Sequence, residues 1–162
     1  MNREDELLKL ENQLCFTLYA ASRAVTQMYR PLLDELDLTY PQYLVMLVLW
    51  ENDRLTVNEI GELLQLDSGT LTPLLKKLEA RGLLSRERDK EDERKVIISL
   101  LPEGKKLKKR AVKIPELLLC RSGLSVNKFR EMKGSITGLI ETMKEQECSL
   151  PPAVKAGGRK KK

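Results

Sequence analysis

The sequence predicts a mainly α-helical chain with one small β-hairpin, on three observations. Apolar residues recur at helical spacing from Asp5 to about Met28 and again in VNKFREMKGSITGLIETMKEQ near the end. Two short helical segments, VNEIGELLQL and SGTLTPLLKKLEARGLL, are joined by a tight turn at Leu66-Asp67. Directly after them, LLSRER, DKEDER and KVIISL read as strand, charged tip and strand, with Val96, Ile98 and Leu100 alternating. A helix-turn-helix followed at once by a hairpin is a winged helix-turn-helix, a fold made for DNA.

Composition narrows what this frame does. The 162 residues fit one domain, or a protomer that shares its core with a partner. No apolar run is long enough to span a membrane, and the charged start MNREDELLKLENQ lacks the apolar core of a secretion signal, so a cytoplasmic location is expected. Three cysteines at 15, 120 and 148 are an odd number at wide spacings, unlike a secreted disulfide framework. With no histidine and no paired cysteines, a metal site or a histidine-based triad is not expected, and neither is a cofactor. Any chemistry must run on cysteine, tyrosine or carboxylate. The net charge of +5 is no guide to nucleic acid, because KAGGRKKK at the C-terminus supplies all of it. Residues 1–54 sum to −4, 55–100 to −1 and 101–162 to +10, so a DNA-binding claim must rest on pattern.

The first helix is expected to be continuous from Asp5, with Leu7, Leu8, Leu10, Leu14, Leu18, Ala21 and Val25 on its apolar side. Cys15 and Tyr19, four apart, share a face, whereas Tyr29 lies roughly 21 Å beyond Cys15 along a straight helix. Two copies of this helix crossing antiparallel on a two-fold axis would meet at Ser22, among the small residues Ala20, Ala21 and Ala24, and would bring Cys15 of one chain to Tyr29 of the other. The alternative is an ordinary buried cysteine among core tyrosines. All four tyrosines and the only tryptophan fall between Leu14 and Trp50. Pro31 and the turn Asp37-Leu38-Thr39 are expected to close this helix, with Thr39 capping the next, YPQYLVMLVLWE, which is apolar almost all round and must be buried.

Thr56 reads as the N-cap of the first helix of the helix-turn-helix and Ser68 as that of the second. In the second, Leu71, Leu74, Leu75 and Leu78 form the inward stripe. The other face carries Ser68, Gly69, Thr70, Thr72, Pro73, Lys76 and Lys77. Short side chains let a helix approach base edges while lysines reach phosphate; the same face could also be merely solvated. At the hairpin tip Arg94 stands beside Asp92, the pattern of a minor-groove arginine placed by a carboxylate, although the acidic residues around it equally suit a soluble tip. Gly82 ends the recognition segment. A helix from Pro102, kinked at Pro115, holds Cys120 near its end, and a last helix follows the capping candidate Ser125. Residues 149–162 are rich in Pro, Gly and Lys and are expected to be a disordered basic tail.

From about Leu14 to Leu101 the chain resembles the MarR family of winged-helix repressors, and within it the organic hydroperoxide resistance regulators, the OhrR branch. The residues that carry the likeness are LCFTLYAASRAVTQMYRPLLDELDLTYPQYLVMLVLWE, LDSGTLTPLLKKLEARGLLSRERDKEDERKV and IPELLLC. The resemblance implies an intertwined helical homodimer, dimerised through 1–38 and 102–148, with 39–101 as the winged helix-turn-helix on palindromic double-stranded operator DNA. It implies repression until an organic hydroperoxide oxidises Cys15 to sulfenic acid, with no enzymatic turnover. Tyr29 and Tyr40 match tyrosines that reach the thiolate from the other subunit, Tyr19 matches a neighbouring pocket residue, and Cys120 matches the resolving cysteine of two-cysteine members, which forms an intersubunit disulfide. One departure is visible: Leu101 stands where many members carry a capping threonine before Pro-Glu-Gly.

A thiol reacts as its thiolate, and a free cysteine ionises only near about pH 8.5. Glu11 and Tyr19 are the polar neighbours of Cys15, and nothing within a helical turn is cationic. Support is therefore expected from phenolic hydroxyls, in an apolar setting that favours alkyl or lipid hydroperoxides. A repressor gated by a non-covalent aromatic ligand, or a thiol peroxidase, remain the rival readings of the same residues.

Overall fold

In a computed structural model, which describes residues 3–149, backbone packing divides the chain into a unit ending at Leu118 and a second beginning at Leu119. The basic tail lies outside the described residues apart from the backbone of Ser149, and so does the side chain of Cys148.

The N-terminal helix is not continuous. A short α1 (Arg3–Leu7) and a 3₁₀ turn (Leu10–Asn12) precede α2 (Leu14–Asp34). The break has a local cause: the Asn12 amide donates to the Glu6 carbonyl at 2.7 Å, and the Gln13 amide to those of Leu7 at 2.7 Å and Lys9 at 3.2 Å. These side chains take carbonyls that a continuing helix would use. Pro31 does not end α2, which runs one turn further; a proline this close to the C-terminus forfeits a single hydrogen bond. The end is then held from outside, with Arg81 donating to the carbonyls of Leu36 and Asp37 and Arg110 to that of Glu35 at 2.5 Å. Cations suit this end of a helix.

Thr39 begins α3 (Tyr40–Glu51), its amide donating to Gln42 Oε1 at 2.8 Å. As its composition requires, α3 is central: Tyr43, Val45, Met46, Leu49 and Trp50 are buried, and of its large apolar side chains only Leu47 is exposed. Around it pack α4 (Val57–Leu64), α5 (Ser68–Ala80) and the sheet. Leu71, Leu75 and Leu78 of α5 are fully buried with Ile60 of α4 and Ile98 of the sheet, and Leu74 is partly buried. The sheet has three strands, not two: β1 (Leu55–Thr56) pairs antiparallel with β3 (Val96–Leu100), which pairs antiparallel with β2 (Leu84–Arg88). Gly82, at φ +67°, makes the left-handed turn from α5 into β2.

After the wing, α6 (Pro102–Ala111) starts at Leu101 without a side-chain cap, as its sequence implies. The Leu101 amide donates instead to the Leu83 carbonyl at 3.1 Å, and Trp50 Nε1 donates to the Gly104 carbonyl at 2.8 Å inside the core. The helix then stops at Ala111 and restarts as α7 (Ile114–Ser122), so Pro115 sits in the first turn of a new helix, where it is tolerated, rather than at a kink. In the second unit, Ser125 Oγ accepts from the Lys128 amide at 3.2 Å and opens α8 (Val126–Ser149). Among the described residues no helix is long and apolar enough to cross a membrane.

Candidate functional site

Cys15 is the second residue of α2 and is exposed. An ordinary core cysteine is thereby excluded for the protomer. Among the described residues its thiol has no hydrogen-bond partner. Tyr19, one turn on, is also exposed, and its hydroxyl accepts from Arg23 Nη1 at 2.9 Å while the guanidinium lies 5.6 Å from its ring centre.

At the other end of α2 the remaining tyrosines gather. The ring of Tyr29 lies 4.9 Å from that of Tyr40 and 5.8 Å from that of Tyr43, which in turn meets Trp50 edge-on at 6.2 Å. Tyr43, an aromatic in an all-apolar helix, reads as core; it is core, and it is also the wall against which Tyr29 rests. Burial first, then repulsion from the phenolates of Tyr40 and Tyr43, pushes the Tyr29 hydroxyl up to about 12. Burial raises Tyr40 and Tyr43 as well. All three are therefore neutral hydrogen-bond donors at physiological pH. A groove of about 620 Å³ runs beside α2, lined by Ser22, Arg23, Thr26 and Arg30 on one side and Thr39 and Tyr40 on the other. Cys120 is exposed in α7, in the second unit.

On the recognition face, the cap of α5 is Asp67 and not Ser68. Asp67 is extended, at φ −71° and ψ 159°, whereas Ser68 is already helical. The Asp67 carboxylate accepts from the Thr70 amide and hydroxyl, each at 2.8 Å, and these bonds hold it below the usual carboxylate range. Ser68, Gly69, Thr70 and Lys76 are exposed, while Thr72 is half-buried and its hydroxyl donates to the Ser68 carbonyl at 2.6 Å. With both threonine protons taken locally, these hydroxyls offer acceptor lone pairs outward, and side-chain donors on this face come from Ser68, Lys76 and Lys77.

The wing tip is built by its acids. Asp89 Oδ1 accepts from the amides of Glu91 at 2.7 Å and Asp92 at 3.2 Å, bonds that lower its pKa, and Asp92 Oδ1 accepts from the Arg94 amide at 3.2 Å. Asp92 thus fixes the backbone of Arg94 and pairs with Lys95 at 3.9 Å, while the exposed Arg94 guanidinium has no partner among the described residues. Asp53 is a residue that no local pattern marks. Burial would raise its carboxyl, but the Leu100 amide at 2.8 Å and Lys105 at 3.0 Å outweigh that and lower it, tying the end of α3 to β3 and α6.

A three-stranded winged helix-turn-helix with an exposed helix face and a free arginine at the wing tip defines a winged-helix transcription regulator. Comparison with known proteins places it further: residues 27–111 match the family model of the transcriptional regulators SarA/Rot, and the chain belongs to the MarR/SarA family of winged-helix regulators. It is 51% identical over 146 residues to the organic hydroperoxide resistance transcriptional regulator of Bacillus subtilis (strain 168), covering 90% of this chain and 99% of that one. It is 37% identical over 131 residues to the regulator SarZ of Staphylococcus saprophyticus, covering 81% and 90%. Among solved structures it superposes on reduced AbfR bound to DNA with a TM-score of 0.74 at 39% identity, covering 88% of this chain and 98% of that one. Against the disulfide-formed AbfR the TM-score is 0.58 at the same identity, covering 88% and 95%.

Proposed function

We propose that this protein is a homodimeric, redox-sensing repressor that holds palindromic operator DNA while Cys15 is reduced and leaves it when an organic hydroperoxide oxidises Cys15. One observation carries the proposal: α2 holds an exposed thiol without a partner among the described residues at one end, and at the other its Tyr29 gathers with Tyr40 and Tyr43 of α3 in a cluster of neutral phenols. Crossing two copies antiparallel at Ser22, which borders the groove beside Tyr40, brings each thiol to the partner's Tyr29 and Tyr40. Uncovered apolar residues support such pairing, with Leu7, Leu8, Leu10 and Leu14 exposed in the first unit and Phe129, Ile136 and Met143 along α8 in the second.

In the reaction the Cys15 thiolate attacks the outer oxygen of the hydroperoxide. The S–O bond forms, the O–O bond breaks, and the alkoxide takes a proton and leaves as an alcohol, with sulfur oxidised to sulfenic acid. The phenols donate hydrogen bonds to the thiolate and lose that role once its charge is gone. The thiolate of the partner subunit's Cys120 then attacks the sulfenic sulfur, forming the S–S bond and releasing hydroxide, which leaves as water. The resulting shift in helix packing changes the spacing of the two α5 helices, and they no longer fit successive major grooves. Ser68, Gly69, Thr70, Thr72 and Lys76 meet the major groove in this reading, and Arg94, set by Asp92, the minor groove.

In a gel shift, Cys15→Ser is expected to bind operator DNA as the wild type does and to stay bound after cumene hydroperoxide. Release of the variant would remove Cys15 from the mechanism. On non-reducing gels, a peroxide-dependent dimer band requiring both Cys15 and Cys120 is expected; a band that survives Cys120→Ser and vanishes in Cys148→Ser would reassign the resolving thiol.

A further inference from the structure

The local sequence places no cation beside Cys15, yet the fold supplies one to its face. Cys15, Tyr19 and Arg23 follow one another at single-turn spacing on α2, roughly 6 Å apart along the axis. The Arg23 guanidinium donates to the Tyr19 hydroxyl at 2.9 Å and leans over the ring at 5.6 Å, so two contacts fix the phenol to the arginine. A phenolic oxygen has one proton to give. When the oxygen already accepts from a cation, its own O–H is directed elsewhere and becomes a stronger donor. We infer that Arg23 is a positioning residue for the peroxide reaction: it commits Tyr19 as a hydrogen-bond donor on the Cys15 face and brings positive charge to that face, favouring the thiolate without touching sulfur.

The inference deepens the sensor reading and rests on it. Arg23 adjoins Ser22 and lines the same groove as Tyr40, so it lies where the two copies of α2 would cross. The other charged or titratable groups nearby are Arg30, Asp34 and Tyr40 around the groove, while Glu11 belongs to the 3₁₀ turn before α2 and not to this helix face. Both Tyr19 and Arg23 are exposed in the protomer, so truncating either leaves the buried core of α2, at Leu32 and Leu33, untouched.

The test measures Cys15 oxidation by cumene hydroperoxide and its alkylation by iodoacetamide in full-length dimer of wild type, Arg23→Ala, Tyr19→Phe and the double variant. Near about pH 7, Arg23→Ala is expected to slow both reactions on the order of tenfold, with the deficit narrowing toward about pH 10, where the thiolate forms without help. If Arg23 works through Tyr19, the double variant is no slower than the slower single variant. Wild-type rates in Arg23→Ala, a deficit independent of pH, or multiplicative losses in the double variant would each overturn the assignment. If the wild-type thiol itself fails to react with hydroperoxide, it is the sensor reading that falls.

Discussion

Tyr29 shows how far a single residue can be read from its letter. Its type and its distance from Cys15 are visible in the sequence; that it is half-buried against Tyr40 and Tyr43, and so keeps its proton, is a product of the fold. The linkage sign follows from the raised pKa. Below about 10 the phenol is neutral folded and unfolded, and its contribution to stability is intact; as pH rises toward about 12 the unfolded chain ionises first and that contribution is lost. Tyr29→Phe is therefore expected to flatten the fall of melting temperature across this alkaline window, as thermal melts at a series of pH values will show. An unchanged alkaline slope would mean that Tyr29 is not buried as described. Asp67 and Asp92 carry a related lesson, because their carboxylates serve neighbouring backbone amides, a role that depends on local φ and ψ and is invisible in a one-letter pattern.

At the scale of elements, legibility tracked the strength of local signals. Thr56 as a cap, Gly82 as a stop and the leucine stripe of α5 are short-range features with strong chemistry, and the helix-turn-helix and wing appear where they place it. Boundaries decided by side chains reaching back along the backbone were not legible: Asn12 and Gln13 break the N-terminal helix without a proline or glycine. Nor was β1, whose two residues are too few to show a period and exist as a strand only through β3. The junction of wing and α6 is tighter than its sequence suggests. A Cβ on Gly104 would overlap the Leu83 carbonyl and press on Leu100 Cδ2 at 3.1 Å. Replacing glycine by alanine in a helix ordinarily stabilises by about 0.5–1 kcal/mol. Here Gly104→Ala is expected to cost about 1–3 kcal/mol instead, because backbone must move. Urea denaturation will measure this, and a stabilised variant would show that the approach of α6 to Leu83 is looser than described.

For the whole molecule, the protomer holds a complete winged helix-turn-helix, whereas the proposed sensor would be completed only in a dimer. Its helix-turn-helix and wing are assembled around α3, whereas Cys15 is exposed at the start of α2 and Tyr29, near the far end of that helix, packs on Tyr40 of α3. On the proposed function, sensing and dimer assembly share one helix, and oxidation at one end would alter how the two reading heads are spaced. The rival, a repressor emptied by a ligand resting in the groove beside Tyr40, would use the same dimer without any change at sulfur. The decisive measurement follows operator binding by fluorescence anisotropy and the intact mass of the protein in one titration with cumene hydroperoxide. Loss of anisotropy is expected to rise in step with oxidation of Cys15. Release with Cys15 still unmodified, or full oxidation with the DNA still bound, would contradict the account.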